Sequence, residues 1–192
     1  NRDDVPDGQP VVLLDGFDTK KVGHNIACCL TWGPDGWLYG LHGIQGDSYL
    51  GQPGMEQEKR ARVNCGVWRY HPTKKIVEAV AHGTTNPWGL DFDDYGEGYF
   101  VNCVISHLWN FQPGAYYKRM YGEHFRPNLY ELIDSTSDHL HWGGGAWTES
   151  RGNLAKHSEA GGGHAHCGLA FCLSENFPPE YRNSVVMGNI HG

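Results

Sequence analysis

His139 and His141, and again His164 and His166, stand two residues apart. On a β-strand that spacing puts both imidazoles on one face, about 6–7 Å apart along the backbone. Such a pair binds one transition metal when a further ligand arrives from elsewhere, and Asp138, His157 and Glu159 are near in sequence. Loop histidines bonded to backbone in a Gly-rich corner give the same pattern, and glycine runs at 143–145 and 161–163 flank this stretch. With twelve histidines in the chain, the pattern also arises by chance. His24 is a separate candidate. It precedes a strand-like run, and an imidazole that titrates near neutrality suits a general base. A polar cap at a strand end is the alternative. Asn86 opens Asn86-Pro87-Trp88-Gly89, where its amide can serve a ligand or the turn itself.

The remaining motifs exclude chemistry. No GxSxG elbow is present, and neither glycine run continues into a phosphate-binding Lys-Ser/Thr. The six cysteines (Cys28, Cys29, Cys65, Cys103, Cys167 and Cys172) form no CxxC or CxxCH, so tetrathiolate zinc and c-type haem attachment have no local signature. They read most simply as small buried hydrophobes, with no disulfide pairing selected.

The elements that must position these residues are strands. Three segments resemble one another: residues 24–43, 85–103 and 164–192. Each has a polar lead-in, then Leu-x-aromatic (Leu30/Trp32, Leu90/Phe92, Leu169/Phe171), a turn, and a second apolar run. Leu and the aromatic share a face, since strand side chains alternate. Second strands are expected at residues 37–41, 99–104 and 185–190. Outer strands are expected at GVWRYH (66–71) and HLWNF (107–111). The strand aromatics, among them Trp32, Trp37, Trp68, Trp88 and Trp109, read as core. A repeated strand–turn–strand with insertions predicts β-propeller blades. The expected fold is therefore all-β, a partial β-propeller of about three blades, with residues 1–192 forming a fragment of one domain without an internal boundary. Helix is expected at most over residues 55–63, where Glu56/Arg60 and Glu58/Arg62 are i,i+4 pairs, and for a turn or two over 128–134.

Composition agrees with a packed domain. The chain has 192 residues and a net charge of −7, and 27 glycines are about 14%, twice the usual share of roughly 7%. An acidic chain without basic runs does not bind nucleic acid by counterion release. No apolar run is long enough for a membrane-spanning segment. The absence of an initiator Met and of a signal-peptide pattern reads as an internal fragment, in which a missing targeting segment says nothing about the parent protein.

Residues 33–40 (GPDGWLYG), 66–72 (GVWRYHP), 85–89 (TNPWG), 138–141 (DHLH), 161–168 (GGGHAHCG) and 189–192 (NIHG) occur in this order. On these motifs the chain resembles the bacterial membrane-bound dehydrogenase propeller family, whose chains are exported and often add HEAT-type helical repeats and a c-type cytochrome domain. The resemblance spans nearly the whole sequence. More distantly, the blades are similar to those of the soluble quinoprotein glucose and sorbosone dehydrogenases, which are six-bladed. It implies an exported or periplasmic location, a parent attached to the membrane outside this stretch, a sugar or alcohol substrate, and electrons passed to a cytochrome. It implies pyrroloquinoline quinone and calcium as cofactors, with haem only in the cytochrome part. Residue by residue, His24 falls one position off the catalytic base. His42 stands where that base's Asp partner would be, and Asn86 and Gly89 match an Arg-Asn-x-Gln-Gly quinone contact whose Arg and Gln are Thr85 and Trp88 here. The implied roles are base for His24 and cofactor or substrate contact for His42 and Asn86. Losing the Arg removes a bidentate carboxylate partner. The alternatives are a non-catalytic propeller scaffold that binds glycan or a partner protein, and a metal-binding propeller without quinone.

Overall fold

A computed structural model describes residues 4–21, 23–103, 106–137 and 165–189. Among them the elements are twelve strands and two 3-10 turns, with no α-helix. The first strand pair joins β1 (Cys28–Trp32) to β2 (Leu38–His42) through Pro34-Asp35-Gly36. Asp35 accepts from the Trp37 amide at 3.2 Å, and Gly36 takes φ 79°. The sheet then skips a hairpin of β3 (Ser48–Leu50) and β4 (Ala61–Val63). It continues through β5 (Gly66–His71) and β6 (Ile76–Thr84) as an antiparallel meander. The second sheet is the meander β7 (Pro87–Phe92), β8 (Gly98–Asn102) and β9 (Leu108–Phe111). β10 (Tyr116–Arg119) returns to the first sheet and lies parallel to β6. The third pair is β11 (His166–Phe171) with β12 (Val185–Asn189). No sheet closes on itself among the described residues.

The expected strands are present, shifted by a residue or so at their ends. The helix expected over 55–63 is instead a 3-10 turn (Gln57–Lys59) followed by β4. Tertiary partners overrode the i,i+4 pairs. Arg60 turns inward to Asp15 and to the carbonyls of Met55, Tyr49 and Gln52, while Arg62 pairs with Asp47. Residues 128–134 form no helix either; Ile133 bridges to Tyr117, and Lys118 bonds Asp134.

The three strand pairs share a defect. In each, the register slips by one residue, between Cys28 and Thr31, between Pro87 and Leu90, and between Cys167 and Ala170. Two of the pairs also share a contact with the next. The Tyr39 ring meets Phe92 edge-on at 5.1 Å, and the Tyr99 ring meets Phe171 at 5.2 Å. Side chains one position before Trp32 and Phe92 bond onward as well. Thr31 Oγ1 donates to the Leu90 carbonyl at 3.2 Å, and Asp91 accepts from the Phe171 amide at 2.9 Å. The main core forms where the first two sheets face each other, with Tyr39, Leu41 and Val67 against Leu90, Phe92, Phe100 and Phe111. Leu90 and Phe92 are 4% and 9% exposed, whereas their counterparts Leu30 and Trp32 are 59% and 61% exposed. The latter two line a wholly apolar groove of about 290 Å³ with Leu13, Phe17, Leu38 and Trp68.

Candidate functional site

The lead-ins to β1, β7 and β11 meet at one end of the strand pairs. The link between the first two is a carboxamide. Asn86 Oδ1 accepts from Asn25 Nδ2 at 2.5 Å and from Trp88 Nε1 at 2.7 Å. Two donors on one oxygen fill its lone pairs, so Asn86 holds its neighbours in place. Its own backbone is fixed by Asn102 at the end of β8, whose Oδ1 accepts from the Asn86 amide at 3.0 Å and the Thr85 amide at 3.4 Å. Asn189, at the end of β12, repeats this by accepting from the Ala165 amide at 3.3 Å. With the indole pinned by Asn86, the exposed His24 ring stacks on Trp88, with centroids 6.1 Å apart and planes 11° from parallel.

The second and third lead-ins meet through Cys103, which bridges to Ala165 and whose amide donates to the Asn86 carbonyl at 2.9 Å. Burial pushes the Cys103 thiol up, the nearby Cys167 adds to this, and a bond from Asn86 opposes it. Beside it the His107 and His166 rings lie 4.8 Å apart. Four of the expected site residues are thus described. His24 and Asn86 share one cluster, and His166 lies next to it across Cys103. His139, His141 and His164 lie outside the described residues. Among the described residues, no three His, Cys, Asp or Glu side chains are grouped to hold a metal ion.

His42, expected at a cofactor, is placed differently. It is fully buried, with Nδ1 2.7 Å from the Gly43 carbonyl and Nε2 2.8 Å from Ser48 Oγ. Ser48 Oγ in turn accepts from the Asp18 amide at 3.0 Å. Burial lowers the His42 pKa. Both ring nitrogens are engaged, so the side chain ties the end of β2 to β3. Thr85, where the quinoprotein motif has Arg, is also buried and gives its carbonyl to the Ile44 amide and the Cys65 thiol. Neither residue fits a grip on a quinone carboxylate.

Residues the sequence reading passed over complete the cluster: Asn25, Asn102, Cys103 and His107. Asn102 had a signal, since asparagine recurs at the end of the second strand as Asn189. Asn25 had none, because its bond to Asn86 spans 61 residues.

No helix among the described residues is long and apolar enough to cross a membrane. No curated protein and no solved structure matches the chain. A family model described as a domain of unknown function, DUF7133, matches residues 1–191. The chain therefore belongs to the DUF7133 family.

Proposed function

We propose that this chain contributes three consecutive propeller blades to an exported dehydrogenase, and that the lead-in cluster receives a sugar or alcohol substrate. The blade reading is supported by the recurring Tyr-on-aromatic contact between successive strand pairs, each with its bulge at the same place. The observation that carries the functional reading is the His24–Trp88 stack, exposed on its histidine side and pinned from below by Asn86. An aromatic face beside a base is suited to a polyhydroxylated ligand. The indole packs against the C–H face, while His24 accepts the proton of the hydroxyl to be oxidised. The carbon-bound hydrogen leaves with two electrons, as hydride, to a two-electron redox cofactor of the parent protein, which passes the electrons on one at a time to a cytochrome. The oxidising class and the electron acceptor come from the family resemblance, and no step is routed through a quinone, since His42 and Thr85 do not fit one.

A second reading, a scaffold that binds glycan without turnover, is favoured by those same two departures. Measuring sugar-dependent dye reduction and sugar binding in the full-length protein, with and without His24→Ala, separates the two. Loss of turnover with binding retained supports the dehydrogenase. Binding without turnover in either form supports the scaffold.

A further inference from the structure

A polar cleft of about 440 Å³ opens between the β3–β4 hairpin and the chain that follows β10. That volume lies within the roughly 300–1,000 Å³ of small-molecule sites. One wall is a relay of planar side chains. Arg62, on β4, donates from Nε and Nη2 to Asp47 Oδ2 at 3.0 and 2.5 Å. Asn64 Nδ2 donates to the other Asp47 oxygen at 2.7 Å. Arg119, at the end of β10, donates to Asn64 Oδ1 at 2.6 Å and to the Asn64 and Tyr121 carbonyls at 3.0 and 3.2 Å. Two aromatic rings complete the cleft. The Arg62 guanidinium lies over Phe125, 3.9 Å from its centroid, and Tyr121 is 53% exposed. The His24–Trp88 pair takes no part in this cleft. Ile44, which lines it, donates its amide to the Thr85 carbonyl at 3.0 Å, one residue before Asn86.

We propose that this cleft binds a neutral sugar unit, as a second carbohydrate site beside the lead-in cluster. Its lining carries two guanidiniums, Arg62 and Arg119, and two carboxylates, Asp47 and Glu123. An anion would meet the carboxylates and a cation the guanidiniums, so the cleft selects neither charge. A sugar hydroxyl both donates and accepts, and it can engage both kinds of group at once. Arg62 uses Nε and Nη2 on Asp47, which leaves its Nη1 N–H groups for sugar oxygens. The Asp47 and Glu123 oxygens accept from sugar hydroxyls as charge-assisted bonds. The exposed Tyr121 ring supplies an apolar face for the sugar C–H groups. Because the relay fixes these planes in advance, little side-chain freedom is lost on binding. The site stands on this cleft alone and does not require oxidation at His24.

The test titrates the full-length protein with cellotetraose, maltotetraose and xylotetraose, and with tetragalacturonate as an anionic counterpart, by calorimetry. At least one neutral sugar is expected to bind, with tetragalacturonate about tenfold weaker or worse. Tyr121→Ala removes an exposed ring and is expected to keep the fold. Arg62→Ala removes the donor while Asn64 still holds Asp47. Each variant is expected to weaken neutral-sugar binding about tenfold, as loss of one good contact does. Binding of none of the three neutral sugars would overturn the proposal. So would tighter binding of tetragalacturonate. Binding lost in Trp88→Ala but unchanged in Tyr121→Ala and Arg62→Ala would also overturn it, and would leave the His24–Trp88 site standing.

Discussion

Asn86 is the residue on which the site turns. Replacing it with Ala leaves the buried Asn25 amide and the Trp88 indole N–H without their acceptor. The expected loss is roughly 1–3 kcal/mol, read as a lowered thermal midpoint, with Asn86→Asp milder because an acceptor remains. His82 makes a second prediction. Its ring stacks on Tyr116 at 4.7 Å, and burial, aided by His124, Arg126 and Arg119, pulls its pKa down to about 4. The unfolded chain, with an ordinary histidine near 6.5, then binds a proton that the folded one refuses. The His82 contribution is therefore complete above about pH 6.5 and lost progressively as pH falls toward 4. His42, also lowered by burial, adds in the same direction. His82→Phe keeps an aromatic ring against Tyr116 and removes a titrating group, so its thermal midpoint should fall less between pH 7 and 5 than that of the unsubstituted protein.

At the scale of elements, the strand pairs test one another. Phe92 and Trp32 hold the same place in successive pairs, but only Phe92 is covered. Phe92→Ala should cost about 3–5 kcal/mol, as buried aromatics do. Gly89→Ala should also destabilise, since an added β-carbon would come within 2.6 Å of the Gly168 backbone and wedge β7 from β11. Equilibrium denaturation of the two variants of the full-length protein gives both values. Much of this scale was legible in the sequence. Leu30/Trp32, Leu90/Phe92 and Leu169/Phe171 announced the inner strands by alternation, and Gly36 and Gly96 announced the turns. The return of β10 to lie parallel to β6 was not legible, because nothing local in residues 116–119 names a partner more than thirty positions earlier. The Glu/Arg spacing in 56–62 misled for a related reason: side chains that could pair along a helix found Asp15 and Asp47 instead. In the site, His24 and Asn86 were visible by type and position, but Asn25 and Asn102 matter only through contacts that the fold creates.

At the scale of the whole molecule, the face of β1 and β2 that carries Leu30 and Trp32 is the counterpart of the face that the second strand pair, through Leu90 and Phe92, buries against the first. Left open, with Leu30 and Trp32 exposed, it forfeits burial at about 25 cal/mol per Å² and invites association. The chain by itself is therefore expected not to fold as a stable monomer; size-exclusion chromatography with light scattering should show oligomers or aggregate, and a cooperative thermal transition in a monomeric peak would contradict this. The central claim concerns the His24–Trp88 pair, and sugar-dependent dye reduction by the full-length protein tests it most directly. The account predicts turnover on at least one sugar or alcohol, a loss of about 10²–10⁴-fold on His24→Ala as expected for removal of a general base, and sugar binding retained in that variant. Turnover unchanged by His24→Ala, or no binding of any sugar or alcohol, would contradict it.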